Sequence, residues 1–513
     1  MSKALFKSTS LVSAMTFISR MLGFARDLIA AQIFGVNAMT DAFYIAFKIP
    51  NFMRNLFAEG SFSQAFVPVL SEYKHKQNQA QVRKFLGHIA GSLGLILLII
   101  TILGVIGAPL LIHISAPGLD PYRFHLSSEM LRITFPYLML ISLTAFVGSI
   151  LNSYGKFGLP SFTPALLNIC LIATAFGMSQ FFSVPIESQA WGVLIAGFMQ
   201  FLFLLPGLYR IGLLVRPKLD WKDEGVQRVL KLMTPALFGA SVGQISLLLN
   251  TIFASFLAIG SVSWLYYSER LAYFPLGVFG VALATVVLPN LSRHHAAESK
   301  EGFSSVLDWG IRCNLLIGLP AALTMAIFSA PLIITLFYNG KLFTLHDVIM
   351  TQQSVITYSI GLQAFMLAKV LSSAFYAKQN LKTPVKIAVF SVVMNMILSA
   401  ILMFPLAHAG LALASSLSSW INVFALMFFL YRRGLYSPQP GWIKFFSQLI
   451  FANGVLAIFL WWATGDISDW TSLGWQQRVL HVFIIGVSSI AIYLASLWIS
   501  QMRPRDLRAV GAI

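Results

Sequence analysis

The sequence predicts an all-α polytopic membrane protein with about fourteen transmembrane helices. Of its 513 residues, 57% are hydrophobic and only 10% are charged, and the mean hydropathy is +0.78. Soluble domains are roughly one quarter charged, so lipid is the expected solvent for most of this chain. Apolar runs of about 20 residues, enough to cross a bilayer, follow one another along the whole sequence. Little sequence remains for a soluble domain.

The predicted spans are separated by short connections. The two cysteines, Cys170 and Cys313, both fall inside spans, so we expect packing roles and no disulfide framework. The N-terminus runs into the first span without a small-residue cleavage site, so we expect no removed signal peptide. The spans cover residues 8–34, 38–70, 86–114, 126–152, 160–182, 188–209, 229–257, 262–291, 307–335, 350–376, 384–404, 408–431, 442–464 and 479–501.

The formal net charge of +17 is distributed by membrane side. If fourteen spans alternate in direction, about 24 of the 35 Lys and Arg residues fall in connections on one side. The opposite connections hold about three, Arg123, Lys341 and Arg478. Cytoplasmic connections carry the excess of Lys and Arg, so both termini are expected in the cytoplasm. Topology therefore explains most of the basicity, and we expect no nucleic-acid partner.

About eight cations remain inside the predicted spans. Arg132 and Arg312 are near enough to span ends for their side chains to snorkel to the interface. The other six face four carboxylates, an excess of about two positive charges in a low dielectric. The cations are Arg20, Arg26, Lys48, Arg54, Arg270 and Lys369, and the carboxylates are Asp27, Asp41, Glu59 and Glu269.

This excess of charge favours a watered cavity that binds an anion. The planar fork of arginine matches phosphate and carboxylate oxygens, so phosphate is the leading ligand chemistry. The alternative is a set of internal ion pairs that hold neighbouring helices in register.

Two pairs of segments recur at an offset of roughly 220 residues. VPVLS at 67–71 matches LPNLS at 288–292, and YGKFGLPSFTP at 154–164 matches YAKQNLKTP at 376–384. Both pairs lie six spans apart, which predicts two parallel repeats that enclose a central cationic cavity and work by alternating access. The predicted domains are an N-lobe of spans 1–6, a C-lobe of spans 7–12, and spans 13–14 with a cytoplasmic tail. They cover residues 1–210, 211–433 and 434–513.

The sequence also limits the energy source. It contains no G-x-x-x-x-G-K-[ST] motif and no connection long enough for a nucleotide-binding domain, which excludes ATP hydrolysis by this chain. No Asp or Glu occurs between Asp347 and Asp466, so a coupling ion would use one of the four carboxylates above. Otherwise the membrane potential supplies about 2.3 kcal/mol per charge per 100 mV. We expect transport without a metal, a cofactor or enzymatic activity, and the ion is not identified.

Five segments carry a family resemblance. They are SRMLGFARD at 19–27, TDAFYIAFKIPNFMRNLFAEGSFSQAFVPVL at 40–70, QISLLLNTIFASFLAIGSVSWLYYSERL at 244–271, KTPVKIA at 382–388 and PQPGW at 438–442. These segments resemble the MurJ (MviN) family of bacterial lipid II flippases, within the multidrug/oligosaccharidyl-lipid/polysaccharide exporter superfamily. The resemblance implies a two-lobed fold with two extra helices in the bacterial inner membrane. It also implies a cargo of undecaprenyl-diphosphate bearing a disaccharide pentapeptide, moved from the cytoplasmic to the periplasmic leaflet for cell-wall synthesis and cell shape.

The same resemblance implies roles for individual residues. Arg20, Arg26, Arg54 and Arg270 correspond to family substrate-binding positions, with Asn51 as a weaker candidate. It also implies that spans 13–14 form, with the second lobe, a lipid-facing groove for the prenyl tail. Tyr273 stands where the family pattern has an acid, which argues against a need for an acid there. Supporting or gating roles are assigned to Asp27, Asp41, Lys48, Glu59, Glu269 and Lys369.

Other functions stay open at this point. A flippase for another undecaprenyl-diphosphate oligosaccharide would use the same arginines. A cation-coupled small-molecule exporter predicts an apolar or aromatic cavity, and a scaffold of the division machinery predicts tolerance of changes in buried charge. The expected partners are lipid II and membrane lipids, with cell-wall synthesis and division proteins as further candidates, and the chain is expected to be a monomer.

Overall fold

The computed structural model describes residues 3–55 and 62–503, except the side chains of residues 3–10 and 235–247. Within these residues every regular element is a helix, which confirms the predicted all-α class. Helices satisfy their own backbone hydrogen bonds, which a lipid solvent requires. Contacts divide the chain into two compact units, Met1–Ser263 and Trp264–Ile513.

The first unit contains ten helices in its described residues and ends with the first three residues of an eleventh. The predicted span 38–70 contains α2, described to Arg54, and α3, which begins at Phe62, and residues 56–61 lie outside the described ranges. The helices are α1 (Lys3–Phe34), α2 (Ala38–Arg54), α3 (Phe62–Lys76), α4 (Gln79–Ile106), α5 (Ala108–Ser115), α6 (Pro121–Thr134), α7 (Tyr137–Ser153), α8 (Gly158–Gly177), α9 (Glu187–Arg210), α10 (Glu224–Ser255) and α11 (Ser261–Pro275).

The second unit continues from α11 through a single π-helical turn, Leu276–Gly280, directly after Pro275. Proline removes a backbone donor and clashes with the preceding turn, which accounts for the interruption at this point. The remaining helices are α12 (Val281–Ala296), α13 (Lys300–Ile327), α14 (Ser329–Phe337), α15 (Leu345–Ala377), α16 (Lys382–Arg432), α17 (Trp442–Thr464), α18 (Ile467–Ser472) and α19 (Trp475–Ile499).

Ten helical stretches in the described residues are long and apolar enough to cross a membrane, which confirms a multi-pass protein. One of them, α16, has 51 residues and would extend about 76 Å, more than twice a bilayer core of about 30 Å. Its backbone is left-handed at Ala407, with a φ of 47°, so it consists of two successive helices. They match the predicted spans 384–404 and 408–431, while the total of fourteen stays a prediction.

The boundary between the compact units lies later than the predicted lobe boundary at 210/211. Helix α10 packs against α3 and α4 of the first unit, and Arg228 Nη1 lies 2.7 Å from Glu72 Oε2. The connection before α10 is also tied to α4, because Lys218 N donates to Gly87 O at 2.9 Å. These contacts place span 7 with the first compact unit. The predicted lobes, which rest on the sequence repeat, stay a prediction.

Gly91 permits this close approach of the connection to α4. An alanine Cβ at this position would lie 2.3 Å from the carbonyl oxygen of Lys218 and 2.5 Å from its carbonyl carbon. Backbone atoms cannot move aside as a flexible side chain would, so we expect Gly91→Ala to lower the free energy of unfolding by about 1–3 kcal/mol. Thermal unfolding of the purified protein measures the loss.

Gly94, on the same helix, supplies the matched control. No described heavy atom outside its own helix turn lies within 4 Å of the Cβ that Gly94→Ala would add. We expect this variant to be neutral or slightly stabilising, since alanine is the better helix former. Equal stability of the two variants would contradict the close packing at Gly91.

Candidate functional site

Arg20 lies near the middle of α1, at least about 20 Å from either helix end. Its side chain is exposed and makes no hydrogen bond or ion pair with the residues that the structure describes. A charge at such a position costs free energy in lipid unless water or a counter-ion reaches it. The sequence predicts Arg20 as a residue that binds an anion, and this role stays a prediction.

Arg26, one and a half turns further along α1, is held by its own unit. Its Nε and Nη2 donate to Asp27 Oδ1 at 3.0 and 2.6 Å, and its Nη1 donates to Asn168 Oδ1 at 3.1 Å. Asn168 on α8 in turn donates to Ser19 O at 3.1 Å. These bonds fasten α1 to α8, which is the role that the internal ion-pair alternative assigns to such groups.

Arg54 and Asn51 meet in the last turn of α2. Arg54 Nε donates to Asn51 Oδ1 at 3.0 Å, and its Nη2 donates to Asn55 Oδ1 at 3.1 Å. Both partners are neutral amides, which orient the guanidinium fork without neutralising its charge. Lys48 lies half-buried on the same helix, and its side chain has no hydrogen bond or ion pair within the described part of the chain. Glu59 falls outside the described residues.

Asp41 is fully buried and sits at the N-terminus of α11. Its Oδ2 accepts from Gly260 N at 2.7 Å, and its Oδ1 accepts from Ser263 N at 2.9 Å and Ser263 Oγ at 2.6 Å. The first amides of a helix lack partners and carry partial positive charge, so a carboxylate there is stabilising. Asp41 thus acts as a cap contributed by another helix, and it fixes the start of α2 against the start of α11.

Arg123 is an ion partner of Asp41, although the sequence predicts it in a connection between spans. Its Nη1 lies 3.7 Å from Asp41 Oδ2, its Nε donates to Asp120, and the residue is only 5% exposed. Asp120 also accepts from Arg123 N at 3.0 Å as the N-cap of α6. The Asp-Pro pair before α6 is a recognisable helix start, but nothing in the sequence indicates that Arg123 points inward.

The second unit holds the other predicted site residues. Arg270 is exposed, donates to Tyr266 Oη at 3.2 Å, and its guanidinium carbon lies 4.8 Å from the centre of the Tyr266 ring. Glu269 points elsewhere and accepts from Tyr358 Oη at 3.1 Å. Lys369 on α15 is exposed and has no ion partner among the described residues.

Tyr273 packs against aromatic rings at the position where the family pattern has an acid. Its ring centre lies 6.0 Å from that of Tyr358 and 5.4 Å from that of Phe365. The side chain therefore fills an apolar cluster beside Glu269.

Asp41 has its own donors and Arg123 as partner. Arg123 also faces Asp120, so it does not fully offset Asp41. The excess of about two positive charges counted in the sequence therefore does not change.

An apolar cavity of about 350 Å³ lies in the second unit, between α13, α15, α16 and α17. Most of its lining is aliphatic or aromatic, which suits a hydrocarbon ligand. The side chains include Leu319, Leu323 and Ala326 from α13, Ile360 from α15, Trp420 from α16, and Phe446 and Ile450 from α17.

Comparison with known sequences gives consistent matches along the chain. A family model described as Lipid II flippase MurJ matches residues 30–474. The chain is 43% identical over 518 aligned residues to "Probable lipid II flippase MurJ" of Vibrio cholerae serotype O1, covering 99% of this chain and 98% of that relative. It is 40% identical over 503 residues to "Lipid II flippase MurJ" of Burkholderia cenocepacia, covering 96% and 97%.

Solved structures give the same result. The chain is similar to "Lipid II flippase MurJ, inward closed conformation" with a TM-score of 0.80 and 29% identity, covering 97% of this chain and 99% of that one. An inward-facing multidrug resistance MATE family transporter of the MOP superfamily has a TM-score of 0.67 at 14% identity, covering 84% and 98%. The second likeness concerns the fold alone. These matches confirm the resemblance carried by the five segments.

Proposed function

The chain belongs to the lipid II flippase MurJ family, and we propose that arginines at membrane depth hold the diphosphate of its lipid-linked cargo. As a member of this family it is a multi-pass inner-membrane transporter of lipid II that acts in peptidoglycan synthesis, and it is not an enzyme.

One observation carries the proposal: three cations within the predicted spans lack an ion partner in the described part of the chain. They are Arg20 and Lys48 in the first unit and Lys369 in the second. A buried or lipid-facing charge costs about 2.5–3.5 kcal/mol at the centre of a spanning helix. A diphosphate offers strong, negatively charged acceptors that offset this cost, and arginine binds such oxygens in bidentate fashion.

The remaining site residues differ in how directly they act on the cargo. Arg26 exchanges Asp27 for a phosphate oxygen when the head group arrives, while Asn51 holds the fork of Arg54 in position for the same ligand. Arg270 lies in the second unit with its guanidinium beside the ring of Tyr266, and we propose separately that it binds phosphate. Asp41 does not contact the cargo. It holds α2 against the start of α11.

The tail occupies the apolar cavity of the second unit. An undecaprenyl chain is hydrocarbon, and burying it against α13 and α17 contributes about 25 cal/mol per Å² of apolar surface. The head group moves through the protein by alternating access, from the cytoplasmic to the periplasmic leaflet, with both chain termini in the cytoplasm. The membrane potential or an ion gradient drives the cycle, and no ion is assigned.

A bulky side chain in the apolar cavity tests whether the prenyl tail binds there, separately from the head group. Ala326 lines the cavity, so we expect Ala326→Trp to lower the transfer rate of lipid II at least about tenfold. Binding of a head-group analogue without a prenyl tail should stay unchanged. Ala491→Trp is the matched control, because Ala491 is exposed on α19 and does not line the cavity. Equal transfer rates for the two variants would contradict tail binding at this place.

Cargo identity is tested with purified protein in liposomes. Lipid II with a fluorescent head group is placed in both leaflets, and the fraction that becomes accessible to an added membrane-impermeant quencher is followed with time. Transfer of lipid II in preference to an undecaprenyl-diphosphate that carries another oligosaccharide is the expected result. Transfer of the second lipid alone would overturn the assignment of the cargo in favour of that oligosaccharide.

A further inference from the structure

Asp308 is a buried carboxylate on α13 with four hydrogen-bond donors around it. The residue is 2% exposed. Its Oδ1 accepts from Tyr436 Oη at 2.7 Å, from Trp442 Nε1 at 2.9 Å and from Gln439 N at 3.2 Å, and its Oδ2 accepts from Arg312 Nε at 2.7 Å. A buried charge is tolerated when donors satisfy it this fully. Three of the four donors belong to Tyr436, Gln439 and Trp442, which lie just before α17 or at its first residue.

Arg312 strengthens the same connection from the other side. Its Nη2 donates to Pro440 O at 2.9 Å and to Gln439 O at 3.3 Å. Its guanidinium carbon lies 4.7 Å from the centre of the Trp442 ring, within the range of a cation–π contact. The sequence suggests that Arg312 snorkels to the interface, and in the structure its Nη2 and its contact with the Trp442 ring connect it to the start of α17.

The segment between α16 and α17 contains the PQPGW motif, for which the proposed transport cycle gives no role. Gly441 in this motif has a φ of 92°, a left-handed conformation that glycine adopts without strain. This turn places Trp442 as the first residue of α17, with its indole N–H on Asp308. A second tie lies alongside, where Ser304 Oγ donates to Ser437 O at 2.8 Å.

The two helices that leave this cluster line the apolar cavity. On α13, Leu319 and Leu323 follow Arg312 by about two and three turns, and on α17, Phe446 and Ile450 follow Trp442 by about one and two turns. Helix α17 packs against α13 and α19, so its place in the unit depends on the contact with α13. Fixing the first half of α13 against the start of α17 therefore positions two walls of the cavity relative to each other.

We propose that Asp308 and Arg312 form a polar latch that positions α17 on α13 and thereby sets the width of the tail cavity. The latch consists of these two side chains with Tyr436, Trp442 and the backbone of Gln439 and Pro440. Its residues are positioning residues, because they do not contact the cargo. The inference rests on the tail-binding role proposed for the cavity, and it makes the latch a determinant of which tail length the protein accepts.

The test compares the binding of undecaprenyl diphosphate with that of the shorter geranylgeranyl diphosphate. We expect the wild-type protein to bind the long-tailed lipid more tightly than the short-tailed one. Asp308→Asn and Arg312→Lys should weaken this preference, so that the Kd for the short tail divided by the Kd for the long tail falls about fivefold or more. Both variants keep the side-chain size, and Arg312→Lys also keeps the charge while losing the planar fork. Spin labels on exposed positions of α13 and α17 should show a broader distance distribution in the same variants.

Asp347→Asn controls for general destabilisation. Asp347 is 6% exposed in the same unit and accepts from Trp264 Nε1 at 2.9 Å, so it resembles Asp308 without touching α17. We expect it to keep the wild-type Kd ratio even if it unfolds at a lower temperature. A wild-type protein with no tail preference would overturn both the tail cavity and the latch. A wild-type preference retained in Asp308→Asn, with unchanged label distances, would overturn the latch alone.

Discussion

Replacing Arg20 by alanine is expected to lower the rate of lipid II transfer at least about tenfold, with the largest effect of any single arginine change. Arg20 lies mid-helix and has no ion partner in the described residues, so its guanidinium is available to the diphosphate. Removing one partner of a desolvated, hydrogen-bonded charge pair costs about 2–5 kcal/mol, and each 1.4 kcal/mol corresponds to a factor of ten. Initial rates in liposomes measure the loss.

Two further variants identify the cause of the Arg20 effect. Arg20→Lys keeps the charge and loses the bidentate fork, so we expect a rate between those of alanine and wild type. Arg210→Ala removes an exposed arginine at the end of α9, where the charge only favours the helix terminus, and it should transfer at nearly the wild-type rate. Similar losses in Arg20→Ala and Arg210→Ala would indicate an effect of net charge instead of a site.

The second large effect is expected at Asp41, on stability. In Asp41→Asn one of the two acceptor oxygens becomes an NH₂ group, which then faces the N–H of Gly260 or of Ser263. Arg123 at the same time loses its buried counter-charge. Breaking a buried charge pair by removing one partner costs about 3–5 kcal/mol, so we expect a clearly lower unfolding temperature and impaired transfer.

Asp120→Asn is the matched control for Asp41. Both carboxylates face Arg123, but the Asp120 side chain is 40% exposed. Solvent water therefore lowers the cost of losing the Asp120 charge. Asparagine is also a good N-cap, so the start of α6 should hold. We expect a loss below about 1 kcal/mol. Equal destabilisation of the two variants would show that Asp41 does not cap α11 as the hydrogen bonds indicate.

The fold class and the position of most helices could be predicted from the sequence because lipid imposes a single rule. A spanning segment needs about 20 apolar residues, and the chain has little room for any other arrangement. The breaks within spans were less predictable. Pro275 ends α11 and is followed by a π-helical turn, whereas Pro320 lies inside α13 without ending it. Whether a proline breaks a helix depends on whether neighbouring residues offer hydrogen-bond partners to the backbone groups that the proline leaves unpaired.

The residue types of the candidate site were predictable, but their pairing was not. At 100° per residue, Arg20 and Asp27 fall on one face of α1, and Arg26 is turned away from that face. In the structure Asp27 binds Arg26, because the long arginine side chain reaches the neighbouring carboxylate and Asn168 holds its other end. The burial of Arg123 and Asp308 depends on contacts between segments far apart in sequence, which no local pattern records.

The most direct test of the central claim uses the host cell. The protein is depleted, and lipid II in intact cells is exposed to a hydrolase added from outside, which cleaves only lipid II that has reached the outer face. The account predicts that wild-type protein restores cleavage and that Arg20→Ala does not, although equal amounts of both are present in the membrane. Cleavage restored by Arg20→Ala to the wild-type level would contradict the claim that this arginine holds the diphosphate during transfer.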